Sequence, residues 1–413
     1  MTAPPGVQPV TGAGLRPYIR LLTATQFAFN TGFYAVLPYL AAHLGDGLGM
    51  AGWLIGLVLG LRTFSQQGLF VVGGALTDRY GPRPVVLAGC VLRVAGFCWL
   101  ALAATTPAVI GAVLLIGFAA ALFSPAVESE TARSAVAYER ETGSPRAQVL
   151  AVFSAAGQAG AFLGPLLGSL LLLLGGGFRT ACLTGALVFV GVLAGHARLM
   201  PSRPPGERKS PTGAANIRGV LLHRPFLLLC AVHSTYLVSY NQLYLALPEE
   251  VERATGSQAA LGGLFALSSL LVVVAQLPLT RWSARRIAPR TALTTGLGLV
   301  AAGSAAVPLL PGGPAGLLPA AAFVLLLTLG QMLLGPAVRG LVPDLVDDRR
   351  LGLATGALSS VSGLAVLVGS AATGTLLGAP DTVMWTVLAA IPLAGAALAL
   401  GTAGGRRAAE ATG

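Results

Sequence analysis

Charge is what this sequence has least of. Asp, Glu, Lys and Arg make up 10% of its 413 residues, against about a quarter in soluble domains. Lysine occurs once, as Lys209, and Arg208 stands where a GxxxxGK[ST] loop would need its last glycine. A phosphate cradle of that kind is therefore excluded, and ATP hydrolysis with it. HExxH and CxxC are missing, and no GxSxG follows a strand. Cysteine is scarce too: Cys90, Cys98, Cys182 and Cys230 all lie inside apolar runs without metal or redox spacing, so they are expected to be small packing residues. No stretch is long and polar enough for a soluble catalytic domain. The expectation is no enzyme, no cofactor and no metal.

Hydrophobic residues, by contrast, make up 54% of the chain. A hydrocarbon core of about 30 Å needs roughly 20 apolar residues per helix. Apolar runs recur near 17–41, 52–76, 84–105, 107–132, 147–174 and 178–198, and after a polar break near 225–248, 258–280, 289–310, 315–341, 352–378 and 383–403. Backbone groups in lipid must be satisfied within each segment, and no alternating ten-residue pattern is present. The fold class expected is an all-α membrane protein with twelve transmembrane helices in two pseudo-symmetric six-helix bundles. The expected division is a tail at 1–16, a bundle at 17–200, a linker at 201–224, a bundle at 225–404 and a tail at 405–413. Met1–Gly14 has no basic n-region with a cleavage site and reads as part of a tail rather than a signal peptide.

The net charge of +11 would point to nucleic acid in a soluble protein; here it is arginine gathered on one membrane side. Arg16, Arg79, Arg83, Arg140, Arg146, the linker arginines, Arg285, Arg286, Arg290, Arg349, Arg350, Arg406 and Arg407 fall on one side of the twelve runs. The other side has little beyond Arg179 and Arg253, with Asp46, Glu249, Glu250, Glu252 and Asp381. The arginine-rich side is expected to be cytoplasmic and to hold both termini. The halves also echo each other: Phe123-Ser124-Pro125-Ala126-Val127 matches Leu334-Gly335-Pro336-Ala337-Val338, as internal repeats of a transporter would.

Between the second and third runs stands Gly74-x-x-x-Asp78-Arg79-x-Gly81-x-Arg83. It resembles the cytoplasmic loop signature of the major facilitator superfamily, except that Pro84 stands where the family often adds a base. The resemblance implies a latch, in which Asp78 meets the N-terminal dipole of the eleventh span and Arg83 meets Glu128 or Glu130 at the end of the fourth. Arg133, three residues after Glu130, is placed to pair with it. In the fifth run, Gly160-x-x-x-Gly164-Pro165-x-x-Gly168 is similar to the antiporter motif of drug:proton exporters, with Ser169 replacing a final glycine. Generic small-residue helix packing is the competing reading.

Arg62 and Arg93 lie nine residues into the second and third runs, roughly 14 Å deep. A charge there is expensive and by default marks a functional site. Gln66 shares the face of Arg62, one turn on. The two arginines are read either as clamps on helix carbonyls or as a positive spot for substrate or coupling. Asn30 in the first run and His233 in the seventh are further candidates facing a cavity, and Phe29, Tyr34, Tyr236 and Tyr240 are candidate cavity aromatics. The stretches Arg62–Leu69, Arg93–Phe97 and Leu277-Pro278-x-x-Arg281-Trp282-Ser283 most resemble the MdtH-type multidrug-resistance branch. That resemblance implies a monomeric exporter of small amphipathic molecules in a bacterial inner membrane, with protons as the coupling ion. Two rivals stay open: a facilitator dedicated to one anionic metabolite, and a non-transporting membrane receptor or scaffold.

Overall fold

A computed structural model describes residues 12–144, 146–201, 223–311, 316–346 and 351–410. Among these there is no strand. The long helices are α1 (Gly12–Tyr34), α2 (Gly52–Gln67), α3 (Phe70–Tyr80), α4 (Pro82–Leu102), α5 (Thr106–Thr142), α6 (Arg146–Leu173), α7 (Gly177–Leu199), α8 (Arg224–Thr255), α9 (Ala260–Arg286), α10 (Pro289–Leu309), α11 (Leu318–Leu345), α12 (Leu351–Leu376) and α13 (Asp381–Glu410). With α2 and α3 counted as one crossing, these are the twelve spans of an all-α membrane protein. The expected linker lies outside the described residues apart from Pro201, His223 and Arg224.

Among the described residues, ten of these spans are long and apolar enough to cross a membrane on composition alone. The other two are α1 and α8, and α8 shows why. It is threaded with polar residues that meet α12: Ser234 donates to Ser362 Oγ at 3.3 Å, Asn241 to Ser370 Oγ at 2.7 Å and Gln242 to Thr373 Oγ1 at 3.3 Å. Hydrogen bonds of this kind join helices where no water competes, at about 0.6 kcal/mol each on average.

Three boundaries differ from the sequence reading. The first run breaks at Tyr34, because Pro38 has no N–H to give to that residue's carbonyl; Leu37–Tyr39 is a 3-10 turn and His43–Gly47 a π turn. The second run is interrupted at Gly68-Leu69, where Ser360 of α12 donates to the Gly68 carbonyl at 3.2 Å; a side chain capturing a backbone acceptor is a known cause of helix breaks. The seventh runs past Pro248 to Thr255.

The chain forms two compact units: Met1–Val36 with Leu69–Pro211, and Leu37–Gly68 with Thr212–Gly413. In the first unit α4 packs on α5 and α7, and α1 on α6 and α7. Its core is a set of buried rings: Phe29 stacks on Phe123 at 5.1 Å, and both meet Phe189 edge-on. In the second unit α10 packs on α11 and α13, α8 on α12 and α13, and α2 on α12. Its largest buried side chain, Trp385, stands edge-on to Phe323 at 5.0 Å.

Candidate functional site

The loop motif straddles the turn between α3 and α4. Gly81 has φ +84°, a conformation that side chains resist, so the glycine there is required by the backbone. Asp78 stands in the last turn of α3; its side chain lies outside the described residues. Arg79 lies over the Tyr80 ring at 5.2 Å. Gly74 has open space around it, whereas a Cβ on neighbouring Gly73 would strike the Ala121 carbonyl of α5. Gly73 is thus the close-approach glycine, a role the motif pattern does not reveal.

Arg83 donates from Nη2 to the Ala197 carbonyl at 2.8 Å, near the C-terminus of α7, where helix carbonyls carry partial negative charge. Of the two acids offered as its partners, Glu128 is exposed and Glu130 fully buried. Glu130 pairs with Arg133 at 3.1 Å, as its spacing indicates, and accepts from Tyr18 Oη at 3.2 Å.

Arg93 is 1% exposed. Its guanidinium lies 4.5 Å from the ring of Phe29, 5.2 Å from Phe33, 5.4 Å from Phe97 and 5.1 Å from Phe189. Nη1 donates to the Ile116 carbonyl at 3.1 Å. A delocalised cation gains most from ring faces once desolvated, and here it joins helices α1, α4, α5 and α7. Asn30 is also engaged in packing, with Nδ2 donating to the Gly157 carbonyl of α6 at 2.7 Å. The α6 motif continues that seam. A Cβ on Gly160 would meet the Phe27 carbonyl, and one on Gly164 would lie 2.8 Å from the Thr31 carbonyl. Pro165 and Gly168 follow, both buried.

Arg62 belongs to the second unit and Arg93 to the first. Arg62 is 8% exposed and donates from Nη2 to Gln66 Oε1 at 2.5 Å, the one-turn pairing its spacing implies. Thr63 donates to Asn241 Oδ1 of α8 at 3.3 Å. His233 Nδ1 lies 2.9 Å from Ser362 Oγ. The rings of His233, Tyr236, Tyr240 and Tyr244 follow one another at about 6 Å along α8.

Two features were not singled out from sequence. His196 on α7 is fully buried beside Thr25; its being the one histidine within the first six runs was the available signal. The other lies where α8 ends and α13 begins. Arg253 binds both oxygens of buried Glu250, at 2.8 and 2.7 Å, and Asp381 at 3.0 Å. These residues line a cavity of about 360 Å³ with Val307, Leu310 and Pro319. Beside them, burial and the Glu252 charge raise the Asp46 carboxyl above its ordinary value, and burial with Glu252, Asp46 and Asp381 raises Glu249. A raised carboxyl binds its proton more tightly when folded, so stability falls as pH climbs from the ordinary value through the raised one. Asp46→Asn is therefore expected to raise the melting temperature at pH 7, with the gain shrinking as pH is lowered towards about 4. A thermal shift series in detergent across that range measures it.

Twelve crossings, close helix contacts made by glycine and buried polar groups at membrane depth define a polytopic transporter-like fold. The model of the Major Facilitator Superfamily matches residues 21–370 and 237–409, and the chain belongs to that family. It is 37% identical over 382 residues to an uncharacterised MFS-type transporter of Mycobacterium tuberculosis, spanning 89% of this chain and 88% of the relative. It is 31% identical over 342 residues to the multidrug resistance protein MdtH of Yersinia pestis, spanning 80% and 82%. Among solved structures it is similar to the nucleoside transporter NupG, with TM-score 0.77 and 12% identity over 93% of this chain and 98% of that one. The peptide transporter POT with sulfate gives TM-score 0.76 and 17% identity over 93% and 94%.

Proposed function

We propose that this major facilitator exports small amphipathic compounds, several scaffolds rather than one, by alternating access in exchange for protons. The observation that carries the reading is likeness to MdtH multidrug resistance proteins across about four fifths of the chain. The seating of Gly160 and Gly164 on the α1 backbone supports it, because a seam that tight lets α1 and α6 move as one body. In this reading residues 17–200 and 225–404 act as the two moving bundles, joined by 201–224. The chain sits as a monomer in a bacterial inner membrane with both termini inside. Arg62, Gln66 and His233 are the substrate or coupling groups, and Asp78 is the latch. Asn30 and Arg93, which donate to the carbonyls of Gly157 and Ile116, hold the frame.

The test is overexpression in a bacterial host stripped of its own exporters, challenged with unrelated toxic compounds. Protection against several scaffolds is the expected result; protection against one or none favours a facilitator with a dedicated substrate. That second reading has its own support in the buried guanidinium of Arg62, which suits an anion. In the same assay Asp78→Asn is expected to reduce protection to the empty-vector level with the protein still in the membrane. Unchanged protection would remove the latch.

A further inference from the structure

We propose that His196 is a proton-binding site in the core of the first unit, and that it takes up the proton exchanged for substrate. The second half of this rests on the proton-driven export reading; the first half does not. The imidazole has no solvent exposure. Nε2 lies 3.0 Å from Thr25 Oγ1 of α1, while Nδ1 is buried without a hydrogen-bond partner. Neither tautomer relieves this. If the threonine hydroxyl donates to Nε2, the proton sits on Nδ1 with nothing to receive it. If Nε2–H donates to the hydroxyl, Nδ1 keeps a bare lone pair. Either state costs about 1–3 kcal/mol, which a merely structural histidine would avoid by pairing both nitrogens, as metal-free core histidines commonly do.

The surroundings say how a proton there would be felt. The ring stands perpendicular to Phe123 of α5 at 6.1 Å, and Phe123 stacks on Phe29, the ring closest to Arg93. From α4, Arg83 holds the carbonyl of Ala197, the next residue, and Arg93 lies on the far side of the Phe29 ring. From α5, Glu130 lies seven residues beyond Phe123, two turns along the same face and about 10 Å from that ring's residue. From α1, Tyr18 lies two turns before Thr25 and donates to Glu130. The sequence of α6 carries no titratable side chain apart from Arg146 at its first position; α7 itself adds Arg198. Glu130 in turn pairs with half-exposed Arg133. Between the Tyr18–Glu130 pair and the Thr25–His196 pair the intervening turn of α1 carries Leu22, 1% exposed. The histidine is thus sealed from the Glu130 cluster by one apolar turn, and a proton reaches it only when α1, α5 and α7 shift enough to admit water.

The test has two arms on the full chain. In the first, protein labelled at its four histidines is titrated by NMR in lipid nanodiscs between about pH 4 and 9. One ring signal, missing in His196→Gln, is expected to titrate, with its midpoint displaced in Thr25→Val. If that signal stays fixed across the range, the site is overturned. In the second, purified protein in liposomes is given ethidium and a gradient of about one pH unit, which one-for-one exchange converts into about tenfold accumulation. His196→Gln and His196→Asn are expected to lose accumulation and to keep ethidium–ethidium exchange. Variants that accumulate like wild type overturn the coupling role. Wild type that accumulates nothing overturns the export reading itself, and the proton site then stands or falls on the titration.

Discussion

Replacing Gly56 with leucine is expected to yield no working transporter. Within the second unit α2 and α12 approach each other backbone to backbone at their glycines. A Cβ on Gly56 would fall on the carbonyl of Ser370, one on Gly60 would lie 2.8 Å from the Cα of Leu367, and one on Gly374 would fall on the carbonyl of Gly52. The small residues recur at four-residue spacing, which keeps them on one face. Here the obstruction is backbone, which cannot swing aside as a side chain can. Even the single methyl of Gly56→Ala therefore has to push the helices apart, and overpacking of this kind costs about 1–3 kcal/mol. The expected series is partial loss of export in Gly56→Ala and complete loss in Gly56→Leu, with a falling melting temperature in detergent. Gly191→Ala, where an added Cβ would meet nothing within 4 Å, is the control and should match wild type in both measurements.

Arg93→Ala is expected to destabilise the first unit by about 3 kcal/mol, from the cavity it opens and the cation–π contacts it removes. Arg93→Lys should recover little, since an ammonium cannot present a flat delocalised face to several rings at once. Arg93→Met separates the two roles left open by sequence, because it fills the volume and contacts rings through sulfur without a charge. If the arginine is the clamp its surroundings describe, the methionine variant melts close to wild type and still exports. A methionine variant that folds and fails to export would give Arg93 a coupling role. The readouts are thermal unfolding followed by size exclusion, and ethidium efflux from cells.

What was legible in the sequence was what depends on near neighbours. Arg62 with Gln66 and Glu130 with Arg133 follow from one-turn spacing, and both pairs form. Ten of the twelve spans follow from hydropathy, which lipid imposes on them, whereas α1 and α8 fall short of it. What was not legible depends on residues far apart in the chain. The break in the second run needs Ser360 to reach the Gly68 carbonyl 292 positions away. The packing of α2 with the second unit needs glycine on glycine across a similar interval. Nothing local announces the Gly157 carbonyl to which Asn30 donates. His196 stands at the end of its span, beside Arg198, where polar residues are usual; only the fold shows it fully buried.

The central claim is that this chain spends a proton gradient to move amphipathic molecules outward. Everted membrane vesicles from cells expressing it, acidified inside and given ethidium in the bath, measure that directly. The account expects dye to enter while the gradient stands and to leave when an ionophore collapses it. Uptake that persists unchanged after collapse, or that never exceeds vesicles lacking the protein, would contradict it.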